Sequence, residues 1–308
     1  MSQLREKITD YLTVRRAMGY KLERAQRLLP QFVDYLDQIG AGRITIEHAM
    51  TWATLPGPGR EAWWTERLST VRRFAIWLHA FDPSTEIPPT GLLPNPSHRA
   101  VPYLFSDVDI TRMLQATESI RSALRQATIR TLIGLLAVTG MRIGEALRLD
   151  RDDIDWRAGL LVVRQTKFRK SREIVLHPTT VAALRGYLRQ RDGCWPHPDT
   201  AAVFITTDGT RLGYRYTAET FRQLAAQAGL TRRSPSCRPR PHDLRHSFAV
   251  NTLLDAYRTG GDVHTIVPLL STYLGHVDPA NTYWYLSAAP ELLALAAQRL
   301  DHHLAQRP

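Results

Sequence analysis

Six prolines crowd one short stretch of this chain, at Pro83, Pro88, Pro89, Pro94, Pro96 and Pro102, and no hydrophobic period runs through it. Proline fixes φ and removes a backbone donor, so neither a helix nor a central strand can cross such a segment. The 308 residues therefore read as two domains, over 1–81 and 103–308, joined by a proline-rich linker over 82–102.

The N-terminal domain shows helical spacing throughout. Leu4, Ile8, Tyr11, Leu12 and Met18 lie on one stripe stopped by Gly19, and Leu28, Leu29, Phe32, Val33, Leu36 and Ile39 form a second stopped by Gly40. A shorter third helix is predicted from near Thr45 to Thr54, and a fourth carries Trp64, Leu68, Val71, Ala75 and Leu78 on one side. The result is a small all-helical bundle with basic faces. Arg15, Arg16, Lys21, Arg24 and Arg27 cluster near its first turn, and Arg67, Arg72 and Arg73 ride on the fourth helix. As a group they predict a DNA-facing side.

Beyond the linker, Ser106 and Asp109 have the spacing of a capping box, and Ala123 to Val138 is apolar enough to be a buried helix. The runs 159–163 and 172–176 are β-branched or alternating and are separated by a short basic turn holding Lys167, Arg169 and Lys170, which predicts a β-hairpin. A third strand is expected at Val203 to Thr206. From Thr217 onward helices return, with Phe221, Leu224, Ala225 and Ala228 in phase, then Leu244 to Tyr257, then residues around Leu269 to Leu274. The fold class is mainly α with a small antiparallel β-sheet.

Forty Lys and Arg stand against 29 Asp and Glu, for a formal charge of +11 and a pI of about 10.0. A polyanion, nucleic acid above all, is the expected partner. No stretch approaches the roughly 20 apolar residues of a membrane span, and residues 1–6 lack a signal-peptide core, so a cytoplasmic, nucleoid-associated protein without membrane contact is expected. Cys194 and Cys237 are too few for a disulfide framework, and no His or Cys spacing suits a metal, so neither a metal nor another cofactor is expected.

The chemistry concentrates in Pro241-His242-Asp243-Leu244-Arg245-His246, in Leu274-Gly275-His276, and in Tyr285 nine residues later. A tyrosine attacking a phosphodiester needs cations on the phosphate oxygens and imidazoles to move protons. Guanidinium groups meet such oxygens in a fork that lysine cannot reproduce, which nominates Arg142 and Arg245. Arg245 is expected in the first turn of a helix capped by Asp243, and Glu145 is expected to orient Arg142 or cap its helix. His246 lies about 100° around the helix from Arg245 and should pack rather than react. Nine residues of unbroken helix would turn through about 900°, placing His276 and Tyr285 on opposite faces, so Val277-Asp278-Pro279-Ala280-Asn281 must break it. Tyr283 is the rival nucleophile, and the two tyrosines cannot face one phosphate.

Taken in order, Thr139-Gly140-Met141-Arg142-Ile143-Gly144-Glu145-Ala146-Leu147, Thr166-Lys167, His242 to His246, Leu274-Gly275-His276 and Tyr285 resemble the motifs of the tyrosine site-specific recombinases, also called the phage integrase family. The resemblance spans Ser106 to about Leu295, and the N-terminal part is similar to that family's helical, SAM-like core-binding domain. Residues 283–293 look particularly like recombinases encoded in transposable elements. It implies that Tyr285 is the nucleophile, His242 the base, Lys167 the acid that protonates the leaving 5′ oxygen, with Lys170 its rival, and His276 a donor to a non-bridging oxygen. Implied too are a 3′-phosphotyrosyl intermediate, a Holliday junction, strand exchange by a tetramer on two duplexes of specific double-stranded DNA, and partner recombinases. The tail 292–297 could dock on a neighbour or fold back on its own domain. The alternatives are a type IB topoisomerase and a catalytically silent DNA-binding regulator.

Overall fold

The computed structural model describes residues 3–94, 101–164 and 171–275, with three further positions between 291 and 297. Its chain divides into two compact units, Met1–Ala100 and Val101–Pro308.

The first unit is built from α1 (Gln3–Ala17), α2 (Glu23–Gln38), α3 (Ile46–Thr54) and α4 (Glu61–His79). The spacing of apolar residues explains each helix: Leu28, Leu29, Phe32, Val33 and Leu36 bury one face of α2, and Leu68, Val71, Phe74, Ala75 and Leu78 bury the matching face of α4. Thr45 caps α3 by accepting from the His48 N–H at 3.1 Å. Met18 departs from its predicted place in the first stripe, since it lies beyond the end of α1 and is exposed. The proline-bearing segment as far as Pro94 is part of this unit. Glu86 donates its N–H to the Ile44 carbonyl at 2.9 Å while its carboxylate accepts from the Ile46 N–H at 2.8 Å.

One predicted DNA contact is corrected here. Arg67 is buried, donates to the Trp52 carbonyl at 2.7 Å and lies over the Trp52 ring with its guanidinium 3.6 Å from the centroid. It closes the end of α3 against α4 by adding a charged donor to a last-turn carbonyl that also accepts a long 3.4 Å bond from the Leu55 N–H. Burial lowers its pKa.

The second unit contains α5 (Asp107–Ala116), α6 (Ala123–Thr139), α7 (Ile143–Ala146), α8 (Pro178–Cys194), α9 (Tyr214–Gln227), α10 (Asp243–Arg258) and α11 (Val263–Leu274). The Ser106/Asp109 capping box opens α5 as predicted. Buried Ile129, Leu132, Ile133, Leu135 and Leu136 of α6 join one hydrophobic core with residues of α8, α9 and the sheet. The sheet is antiparallel, ordered β1 (Ile154–Asp155), β2 (Leu160–Val163), β3 (Arg172–Val175). Leu161 pairs with Ile174 and Val163 with Arg172, and Leu161, Val163 and Ile174 are buried.

One expectation fails for a local reason. Residues 203–206 make no third strand: Ala202 and Ile205 form isolated bridges with Asp150 and Arg211, and β1 takes the third place in the sheet. Ala202, Val203, Phe204 and Ile205 are all buried in succession, so the two-residue alternation of a sheet strand is absent. Helix α8 was not anticipated. Its stripe of Leu184, Tyr187, Leu188 and Arg191 ends on an arginine whose buried guanidinium donates to the Ala202 carbonyl at 2.8 Å.

Candidate active site

Arg142 stands three residues past the last residue of α6, Thr139. The chain turns there at Gly140, which is left-handed at φ +58 and lies against the ring of Phe248; a Cβ at that position would come within 2.4 Å of the ring. Arg142 then precedes α7, whose Glu145 accepts the Arg142 backbone N–H at 2.9 Å and its side-chain Nη1 at 2.9 Å. Arg142 is half-buried, so part of its guanidinium stays open to solvent.

Arg245 lies in the first turn of α10 and is almost wholly buried, 1% exposed. Its Nη1 donates to the Gly140 carbonyl at 2.9 Å and its Nη2 to the Leu274 carbonyl at 2.7 Å. The Nη2 of Arg142 donates to the next carbonyl, Gly275, at 3.2 Å. Both arginines therefore converge on the C-terminal turn of α11, where unpaired carbonyls carry partial negative charge and favour cations. His276 follows Gly275 in the sequence, but it, Lys167, Arg169, Lys170 and Tyr285 lie outside the described residues.

His242 precedes the first residue of α10 with one side exposed to solvent, while its ring meets His246 edge-on at 4.8 Å between centroids. Burial of the remaining ring, with the charges of Arg245, Arg142 and Arg240 around it, pushes its pKa down to about 4. Every neighbouring cation acts in the same direction as burial. An uncharged imidazole at neutral pH can accept a proton. His246 is buried against it, as the helical angle predicted.

Asp243 does not cap α10 as expected. Its carboxylate turns back to the backbone N–H, Nε and Nη2 of Arg240 at 3.0, 3.1 and 2.8 Å, because that arginine brings charged donors three residues earlier. Burial raises the Asp243 pKa, against the lowering effect of Arg240.

The residue that sequence reasoning missed is Arg172, whose Nη2 and Nη1 donate to the two oxygens of Glu145 at 2.7 and 3.1 Å. Burial pulls the Glu145 pKa up, but the hydrogen bond and charge of Arg172, then the N–H and charge of Arg142, outweigh it and hold the carboxyl at about 2. The signal was present in the strand. Arg172 is two residues from buried Ile174 and so shares its inward face.

Residues 105–291, which include all six nominated catalytic positions, match the phage integrase family. The chain belongs to that family. This recombinase is 42% identical to an integrase/recombinase, y4rB, of Sinorhizobium fredii over the full length of both chains. It is 30% identical to the tyrosine recombinase XerD of Rhizobium meliloti across 77% of its own length and 73% of that protein's. Its fold is similar to that of the Tn1549 transposon integrase solved with transposon right end DNA, with a TM-score of 0.65 and 15% identity, over 96% of this chain and 98% of that one. It is a DNA recombinase of the tyrosine class, and its function is site-specific recombination.

The basic residues of the first unit occupy varied settings. Lys21 is exposed and Arg72 half-buried. Arg15 lies over the Tyr20 ring with its guanidinium 4.0 Å from the centroid, and Arg16 bonds to Gln26. Arg24 pairs with Glu66 at 2.8 Å, and Arg73 is exposed with its Nε on the Ser69 carbonyl at 3.0 Å. Among the described residues no group of His, Cys, Asp or Glu could hold a metal, and no helix is long and apolar enough to cross a membrane.

Proposed function

We propose that this recombinase cuts and rejoins double-stranded DNA at a specific site for the integration, excision or transposition of a mobile element. The observation that carries the reading is the convergence of Arg142 and Arg245 on the adjacent carbonyls of Gly275 and Leu274 at the end of α11, with uncharged His242 beside them. The two guanidiniums hold the non-bridging oxygens of the scissile phosphate, where charge gathers in the transition state. His242 accepts the phenolic proton of Tyr285 as its oxygen bonds to phosphorus. The bond from phosphorus to the 5′ oxygen breaks, and Lys167 protonates that oxygen. His276 donates to a non-bridging oxygen.

The product is a 3′-phosphotyrosyl bond and a free 5′ hydroxyl. In the return step a 5′ hydroxyl from the partner duplex attacks the phosphotyrosine, its proton returns through the same groups, and Tyr285 leaves as the phenol. The covalent link conserves the phosphodiester, so the cycle consumes no ATP and calls for no metal. One exchanged strand pair gives a Holliday junction, and four protomers on two duplexes complete the exchange, with partner recombinases where the two halves of a site differ. Arg15, Arg16, Lys21, Arg24, Arg72, Arg73, Arg169 and Lys170 supply phosphate contacts along the duplex. The resemblance of residues 283–293 to recombinases encoded in transposable elements supports the mobile-element role.

The test is incubation, without metal or ATP, with nicked suicide duplexes tiled from the DNA flanking its gene. An adduct that survives SDS in the wild type and is absent in Tyr285→Phe is expected. An adduct that persists in Tyr285→Phe moves the nucleophile elsewhere, with Tyr283 the first alternative; binding without any adduct makes the protein a regulator.

A further inference from the structure

We propose that Arg172 is a positioning residue of this active site, which by occupying both oxygens of Glu145 keeps Arg142 from closing a fork on that carboxylate and so leaves Arg142 donors for the phosphate. The inference rests on the recombinase reading above and extends it to a residue on the sheet.

A carboxylate beside a lone arginine is most strongly held by two parallel N–H bonds. Arg142 stands three residues from Glu145 and could make that pair, yet only its Nη1 reaches the carboxylate, at 2.9 Å. Its Nη2 is directed instead to the Gly275 carbonyl at 3.2 Å. The second oxygen, Oε2, accepts from the Arg142 backbone N–H at 2.9 Å and from Arg172 Nη2 at 2.7 Å, while Arg172 Nη1 adds a bond to Oε1 at 3.1 Å. Two carboxylate oxygens offer about four lone-pair sites. All are taken, so the Glu145 charge is satisfied without the rest of the Arg142 guanidinium.

The placement of Arg172 suits this task. It opens β3 opposite Val163, on the inward face, and its side chain is 12% exposed. A charge at that position needs a partner, and among the described residues it pairs with Glu145, whose side chain is 3% exposed. The Arg172 side chain also underlies the turn that holds Arg142: a Cβ added to Gly275 would lie 3.1 Å from Arg172 Nη1 and 3.4 Å from its Cδ. Gly275 is left-handed at φ +69, a conformation that favours glycine there.

Full-length Arg172→Met, Arg172→Lys, Glu145→Gln and the double variant Arg172→Met/Glu145→Gln decide the matter. Single-turnover adduct formation on a saturating suicide duplex should slow on the order of 10- to 100-fold in Arg172→Met, less than the loss of a transition-state donor itself. Affinity for the duplex should not change. Arg172→Lys should restore part of the rate, because an ammonium occupies one carboxylate oxygen but not both. The double variant should be no slower than Arg172→Met, since an uncharged amide no longer draws Arg142 into a fork. Losses that multiply in the double variant and follow the unfolding midpoint would overturn the proposal in favour of a purely structural ion pair. A crystal structure of Arg172→Met gives a readout independent of activity. Arg142 Nη2 is expected to leave Gly275 for Glu145 Oε2, and an unmoved Arg142 would overturn the proposal. A wild type that forms no adduct would count against the proposed function, while the position of Arg142 would still decide the role of Arg172.

Discussion

The guanidinium of Arg245 donates to the carbonyl of Leu274 at 2.7 Å and so joins the first turn of α10 to the last turn of α11. Its other terminal nitrogen holds Gly140, at the end of α6, at 2.9 Å. One side chain thus ties three helix ends together at the place where the proposed function puts the scissile phosphate. Charged hydrogen bonds of this kind are worth about 1.5–3 kcal/mol each. Arg245→Ala should therefore lower the unfolding free energy by about 3 kcal/mol or more, as measured by denaturant titration, and abolish adduct formation. Arg245→Lys should recover part of the stability but little of the cleavage, because one ammonium cannot span both carbonyls.

Gly140 is left-handed and faces the Phe248 ring, with 2.4 Å between the ring and an added Cβ. Gly140→Ala combines backbone strain of about 1 kcal/mol with a steric clash. A combined loss of about 2–4 kcal/mol is expected by chemical denaturation. Adding Phe248→Leu should return part of it, and a double variant as unstable as the sum of the singles would show that the ring is not the obstacle.

Glu145 is held at about 2, below the ordinary 4.5, by Arg172 and Arg142 against the opposing effect of burial. A carboxyl with a depressed folded pKa binds its proton less readily than in the unfolded chain. Its contribution is full above 4.5 and disappears as the pH falls from 4.5 to 2, amounting to about 3 kcal/mol. Unfolding free energies measured across that window should fall more steeply for the wild type than for Glu145→Gln, which carries no titrating group there. Equal slopes would show that this carboxyl is not the group responsible.

Arg67 serves the first unit from the inside, through the Trp52 carbonyl and ring. Arg67→Ala should lower the stability of the full chain by about 2 kcal/mol while leaving the salt dependence of DNA binding as in the wild type. Arg73→Ala is the contrasting variant: without that exposed guanidinium to neutralise a phosphate, the slope of log K against log salt should fall by about 1 while the unfolding midpoint stays in place.

Much of this molecule was legible in its residues. The stripes of α2 and α4, the capping box at Ser106, the buried α6 and the 160–175 hairpin all follow from local periodicity, which a chain carries wherever it is placed. Arg142, His242 and Arg245 could be nominated because each chemistry-bearing residue lies in a short, ordered motif. Helix α8 was harder, because Arg191 at a core position hides a stripe that otherwise has helical spacing, and its role appears only with the Ala202 carbonyl in place. Residues 203–206 are apolar enough for a strand, but pairing requires a neighbouring edge, and β1 takes it.

The sequence by itself determined the two helical units, the basic charge and which side chains could act on a phosphodiester, because these depend on residue type and spacing along the chain. Only the tertiary structure decided that Arg172, 27 positions from Glu145, shares its carboxylate, that Arg67 serves the core, and that Arg142 and Arg245 meet on the neighbouring carbonyls of Gly275 and Leu274. Those partnerships join residues on different elements, and a buried charge takes whichever partner the packing of those elements brings within hydrogen-bond reach.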